Sequence, residues 1–468
     1  MPRARRRGVL AAGCAVALVL AAPALRAQSS PEEAPPPDSA GGLSTAIEAN
    51  LAHDTTQAEL TARERRSRRN MGVWLLESVL TAQLRTFIRD IDRFNGQTAG
   101  ATAVGGWVRF RSGRWHDNFA FRAALYMSLR VHADPGNTGP TQILAPDDGN
   151  LVSLGVLNAE AYWKRNIFTV GAQDLNYPLV GKSDTRMIPR SFLSATGQGP
   201  LGGDWQWIGG YITRMKERDA DRFVAMSRIA DTSLRVNRGM IAAGVRRTGS
   251  NHRLTSGLFN YYVPDLHNML YGEVSVIAAR GANSQLGVDV QFNDQRTVGD
   301  GLLAGSPYDT RYFGARVSGS YNSWVFALAG SAVAEGGEIV APYGLFPGYT
   351  SLMNNDFSRA GETGWAITGS KVLHHVVNGL SVFVGYGRGT GGLDASSATR
   401  PVRDMVEVTF DYRPTSGPLD GFWFRIRGMK AWQHGPLPNG HDLRIIGYYD
   451  IPIPWPPRGP QPATPARR

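Results

Sequence analysis

Arginines recur at matching positions of several extended stretches of this chain: Arg85 in TAQLRTFIRD, Arg109 in GGWVRFR, Arg316 in FGARVSGSY, Arg425 and Arg427 in FWFRIR, and Arg444 in HDLRIIGYY. In FWFRIR the apolar set Phe422, Phe424 and Ile426 alternates with Trp423, Arg425 and Arg427. A guanidinium is planar and donates two parallel hydrogen bonds to a carboxylate, a match lysine does not offer. A row of such groups on one wet face lets an anionic group pass between equivalent partners without settling into one deep well, as conduction requires. This chemistry is reversible anion binding. Bond-making machinery is not expected: there is no Gly-x-Ser-x-Gly element and no His-Glu-x-x-His helix. Most of the nine histidines, including His252, His267, His374, His375, His434 and His441, fall in expected turns and loops. No enzyme activity, metal or cofactor is expected.

The elements that carry the arginines have two unlike faces. In MVEVTFDY, Val406, Val408, Phe410 and Tyr412 alternate with Glu407, Thr409 and Asp411, and in LGVDVQF, Leu286, Val288, Val290 and Phe292 alternate with Asp289 and Gln291. Period-two alternation marks β-strands. Eighteen such segments are expected, at 79–90, 105–112, 118–129, 152–164, 167–173, 205–214, 221–228, 240–247, 253–260, 270–278, 285–293, 310–321, 324–334, 363–372, 379–388, 404–412, 422–431 and 442–451. Connections after odd-numbered segments read as long (91–104, 130–151, 174–204, 335–362, 389–403), and those after even-numbered ones as short (165–166, 248–252, 322–323). Sandwiches and propellers give no reason for that alternation; a transmembrane barrel does. In lipid every backbone polar group needs a partner within the protein, so the sheet must close. The expected fold is therefore all-β: an antiparallel up-and-down transmembrane barrel of eighteen strands whose lumen is too wide for side chains to fill. Val406, Val408 and Phe410 would meet lipid, and Glu407, Thr409 and Asp411 water. An arginine facing lipid at mid-depth costs about 2–4 kcal/mol, which assigns the arginines to the lumen.

Residues 1–27 read as an export signal, with the basic MPRARRRG, an apolar run and Ala27 at the cleavage point. The single cysteine, Cys14, lies inside it, so no disulfide framework is expected. Net charge is +11, and removal of the five arginines of the signal leaves about +6. Export makes nucleic acid an unsuitable partner for that surplus. Residues 28–78 form an expected periplasmic extension, a Pro-rich linker over 28–43 followed by a helix-prone segment over 44–70 ending in RERRSRR. The barrel occupies 79–453, and a Pro-rich tail 454–468.

FPGYTSLMNNDFSRAGETGWAI at 346–367, VNGLSVFVGYGRG at 377–389, SGPLDGFWFRIRGMKA at 416–431 and HDLRIIGYYDIPI at 441–453 together resemble the OprD family of specific outer-membrane porins. TAQLRTFIRD at 81–90 is similar to that family's first strand, and VGAQDLNYPLVGKSDTRMIPRSF at 170–192 to its inward-folded third loop. The resemblance implies a monomeric or loosely trimeric channel in the outer membrane, in contact with lipid and lipopolysaccharide and inserted by the barrel-assembly machinery. It implies passage of small hydrophilic solutes, commonly carboxylates, through an arginine-lined eyelet. It further implies eyelet contacts from Tyr177, Lys182, Asp184 and Arg186 in the third loop and from Ser351, Asp356 and Arg359 in the seventh. Two features depart from the pattern: the extension 28–78, and a tail that leaves Tyr449 or Trp455 to act as the terminal aromatic. A plugged or structural barrel that binds surface polysaccharide is the alternative reading.

Overall fold

The alternating segments form one continuous antiparallel sheet. The computed structural model describes residues 74–453, apart from 76, 250–252, 304–308, 394–397, 415, 418, 436 and 452. The expected signal, nearly all of the extension and the tail with Trp455 lie outside the described residues. The barrel strands are β1 Val79–Asp92, β2 Thr98–Arg111, β3 Phe119–Ala133, β4 Leu151–Trp163, β5 Asn166–Gln173, β6 Ser191–Gly202, β7 Trp205–Lys216, β8 Met240–Thr248 and β9 Leu254–Val263. They continue as β10 His267–Arg280, β11 Ser284–Thr297, β12 Asp309–Tyr321, β13 Trp324–Val333, β14 Thr363–Val372, β15 Leu380–Thr390, β16 Arg403–Tyr412, β17 Phe422–Gln433 and β18 Gly440–Ile451. Each pairs with its neighbour in sequence, and β18 pairs with β1 over Ala82–Asp92, so the sheet closes and has no free edge.

The expected count of eighteen holds, although two expected placements change. Residues 191–202, assigned to the third loop, form β6, and the third loop is 174–190. Residues 221–228, expected as a strand, hold only the two-residue strand Val224–Ala225 at the end of β7 and the start of the helix α1 Met226–Ala230. The physical reasons are visible in the packing. In SFLSATGQGPLG the outer face carries Ala195 and Gly197 because Phe168 and Trp207 from the flanking strands lie across it. A Cβ at Gly197 would sit 2.6 Å from the Trp207 ring and 2.9 Å from Phe168. The alternation is therefore muted where neighbouring aromatics supply the apolar cover. Met226, by contrast, packs into an apolar cluster inside the barrel.

One rim carries the long connections and the other the short ones, as the alternation requires. The expected long connection 91–104 is an exception, because β1 and β2 run on to leave only 93–97, and on the same rim β9 and β10 are joined by only 264–266. The two faces separate as the period-two pattern predicts: in β16, Phe410 is 46% exposed on the outside while Glu407 is fully buried inside. Outward Leu84, Val108, Leu125, Leu157, Val170, Ile241, Val317 and Leu328 are all exposed, which gives the outer wall an apolar belt. Inside, the third loop and the loop 334–362 fold into the barrel. Leu175, Leu179 and Val180 of the former and Ile339, Tyr343 and Phe346 of the latter join one apolar cluster with wall residues such as Phe259, Tyr271 and Tyr312.

Candidate solute pathway

Pairing register places three arginines side by side on the inner wall. Arg427 of β17 lies opposite Arg444 of β18, and Arg444 opposite Arg89 of β1. Like charges directly across a strand pair repel, and the wall carries acids to offset them. The Arg427 guanidinium meets Glu407 at 2.6 Å. Arg444 and Arg89 share Asp442, at 3.0 and 2.7 Å. Below this row, Arg425 donates to both oxygens of Asp411 at 2.7 and 3.0 Å and lies over the Trp423 ring. Arg316, on β12, pairs with Asp289 at 2.9 Å and lies over Tyr349. Arg109 lies over the Trp107 ring, 4.0 Å from its centroid, and its Nη2 donates to the Tyr126 hydroxyl at 3.4 Å.

The third loop is fixed to this wall through Arg85. Its Nη1 and Nη2 donate to Asp184 Oδ1 and Oδ2 at 2.6 and 2.8 Å, and Nη1 also reaches the Arg186 carbonyl at 3.1 Å. Burial alone would raise the Asp184 carboxyl, but the Arg85 charge outweighs it and holds the group at about 2. Lys182 is half-buried on the same loop. Tyr177 turns to the apolar cluster, where it stacks on Phe259 with ring centroids 6.2 Å apart.

Arg186 projects toward the arginine row. It donates to the Thr185 carbonyl at 2.8 Å and hydroxyl at 3.2 Å. Arg218, from the loop 217–239, reaches the same Thr185 hydroxyl at 3.0 Å and the Ser183 hydroxyl at 3.3 Å. Both guanidiniums are buried, and the Nε of each meets no acceptor. Burial and the neighbouring Arg444, Arg89 and Arg218 charges lower Arg186 well below the usual arginine value. Burial and the Arg190 charge push Arg218 down to about 9.

The loop 334–362 closes over the arginine row from the other side. Asn354 donates to Asp442 at 2.7 Å and accepts from Arg444 at 2.8 Å, while the Met353 amide donates to Glu407 at 2.8 Å. Ser351 is buried beside Asp356, whose carboxyl is pushed up to about 6 by burial. Arg359 pairs with Glu362 at 2.9 Å through Nε, and Glu362 also accepts from Arg403 at 2.9 Å. The two inward loops meet directly: the Gly181 amide donates to the Tyr343 carbonyl at 3.1 Å, and Arg190 donates to the Gly344 carbonyl at 2.9 Å. The geometry is thus a charged wall narrowed by two loops that touch one another.

Sequence alternation found Arg85, Arg425, Arg427 and Arg444 on this wall but passed over Arg89 and Asp442, although both share the inward parity. Arg218, Glu362 and Asn354 lie in loops, where no periodicity could have pointed to them.

A model described as outer membrane porin, OprD family, matches residues 74–453. No curated protein matches the chain by sequence. Among solved structures, Pseudomonas aeruginosa OccK1 (OpdK) is similar at 17% identity over 81% of this chain and 99% of that one, with a TM-score of 0.72. Pseudomonas aeruginosa OccK9 (OpdG) is 16% identical over 81% and 100%, TM-score 0.73. OccK2 (OpdF) of the same organism, solved in complex with glucuronate, is 16% identical over 81% and 99%, TM-score 0.71.

Proposed function

Because the chain belongs to the OprD family of outer-membrane porins, we propose that it passes small hydrophilic solutes bearing a carboxylate, down their concentration gradient, past the arginine sector of β1, β17 and β18. The family is one of channels, and the barrel belongs in the bacterial outer membrane. One observation carries the substrate class: Arg427, Arg444 and Arg89 form a row on the inner wall, with Arg85 and Arg425 alongside, and both inward loops bond to this sector, through Asp184 and Asn354. A carboxylate entering there meets forked donors already held in place, so little side-chain entropy remains to be lost on contact. All five arginines share their charge with Asp184, Asp411, Glu407 or Asp442, which keeps each contact shallow, as throughput requires. Relatives solved with vanillate and with glucuronate, both carboxylates, support the same class.

Tyr177, Lys182, Asp184 and Arg186 from the third loop and Ser351, Asp356 and Arg359 from the seventh are proposed to shape the narrow part. Asp184 and Arg359 act through their ion pairs, and Tyr177 through its packing against Phe259. Single-channel recording in a planar bilayer under a salt gradient tests the reading. Discrete steps with anion preference are expected, along with concentration-dependent flux of small carboxylates. A cation-preferring channel would overturn the arginine assignment, and a folded barrel that conducts nothing would turn the reading toward a plugged or structural barrel.

A further inference from the structure

We infer that the constriction prefers solutes carrying two negative charges close together, and that Arg218 is the residue that sets this preference. The inference rests on the carboxylate-channel reading and narrows it. Along most of the wall guanidinium and carboxylate are matched one to one: Arg85 with Asp184, Arg316 with Asp289, Arg425 with Asp411, Arg427 with Glu407. Around Thr185 the balance breaks. Arg186 and Arg218 converge on the same hydroxyl, at 3.2 and 3.0 Å, so their two forks lie within one hydroxyl of each other. The charges of Arg89 and Arg444 act on Arg186, and the two share the single carboxylate of Asp442. Arg190 is matched by Glu217 at 2.9 Å, which leaves Asp219 as the remaining acid near Arg218. Four guanidiniums therefore meet two carboxylates.

A buried charge without a counter-charge is strongly unfavourable. A monoanion at this place relieves half of the excess, whereas a solute with two charges relieves all of it. The second negative charge is thus favoured here more than at the matched pairs along the wall. Arg218 is held for this role by two hydroxyls, Thr185 and Ser183, instead of by an acid, so its charge stays available while its position is fixed. The fit is to a short dicarboxylate or to a phosphorylated solute, since both present two charges within the span of two forks.

The test compares reversal potentials for acetate, malonate and inorganic phosphate, the last at a pH where it is doubly charged, against chloride in the full-length channel. Native channels are expected to favour the dianions over acetate. Arg218→Gln should cut the dianion-to-acetate permeability ratio about tenfold, and Arg218→Lys, which keeps the charge but loses the fork, should cut it less. Arg222→Gln, an 88%-exposed arginine of the same loop, should leave the ratio unchanged. Malonate favoured over phosphate assigns the site to dicarboxylates, and the reverse assigns it to phosphorylated solutes; either carries the inference. An acetate preference in the native channel, or equal ratios in native and Arg218→Gln channels of verified heat-modifiable mobility, would overturn it. Failure of every anion to permeate would instead defeat the underlying channel reading.

Discussion

Removal of the Asp184 carboxylate should loosen the third loop by a predictable amount. The loop is tied to β1 through both oxygens of Asp184 on Arg85, whose side chains are 12% and 4% exposed. The pair holds the carboxyl at about 2, against an ordinary value of 3.8. Each unit of such a shift corresponds to about 1.4 kcal/mol, so the docked loop gains on the order of 2 kcal/mol, which favours the docked over the released loop by some tens-fold. The sign follows from the depression: the stabilisation is complete above the ordinary carboxyl value and disappears as pH falls through about 2. Asp184→Asn should therefore raise open-channel current noise at neutral pH to a level the native channel reaches only at the acid end of that window. The variant's own noise should be flat with pH between about 4 and 2. Arg85→Gln should give the same loss from the other side of the pair. Single-channel noise spectra recorded as the bath is acidified supply the measurement. If Asp184→Asn is as quiet as the native channel, or titrates in the same window, the pair does not hold the loop.

Three further outcomes follow from contacts already described. Arg427→Ala leaves Glu407 buried without a counter-charge, so it should cost about 3–5 kcal/mol and lower the temperature of heat-modifiable gel migration, whereas the double substitution Arg427→Ala with Glu407→Gln should recover most of the loss. Asp356 is held up at about 6 by burial, so its negative charge appears as pH rises through that value; native anion preference should fall across that rise, and Asp356→Asn should show no such step in reversal potential. Gly344→Ala places a Cβ 2.7 Å from the Leu179 carbonyl oxygen and 2.9 Å from the Gly181 amide, so it should push the two inward loops apart and raise unitary conductance.

The barrel was legible in the sequence because lipid outside and water inside impose opposite demands on successive residues, and eighteen strands are enough to make that repetition plain. Val406, Val408 and Phe410 against Glu407, Thr409 and Asp411 needed no structure to be sorted. β6 was missed where the outer face is shared across strands: Gly197 carries no side chain because Phe168 and Trp207 already cover it, so the apolar signal sits on its neighbours. The run 221–228 misled for the opposite reason, since its Met226 serves a cluster inside the barrel. Parity indicated which arginines face inward. Glu407 and Asp411, on the same inward parity, were legible as partners for the wall arginines, whereas the crowding of Arg186 and Arg218 on Thr185 depends on loop paths, which no local pattern records.

The sharing of Asp442 by Arg89 and Arg444 also bears on how the barrel is sealed. Arg89 belongs to the first strand and Asp442 and Arg444 to the last, so this ion triad spans the one seam that joins the two ends of the chain. A slip of one residue at that seam would exchange the two faces of the joining strand. Either Arg89 would turn into hydrocarbon, or Asp442 and Arg444 would do so together, at about 2–4 kcal/mol for a mid-depth arginine. The charges of this inner-wall triad thus also proofread the final zippering step, rewarding only the alignment in which first and last strands present their ions to the same side of the sheet.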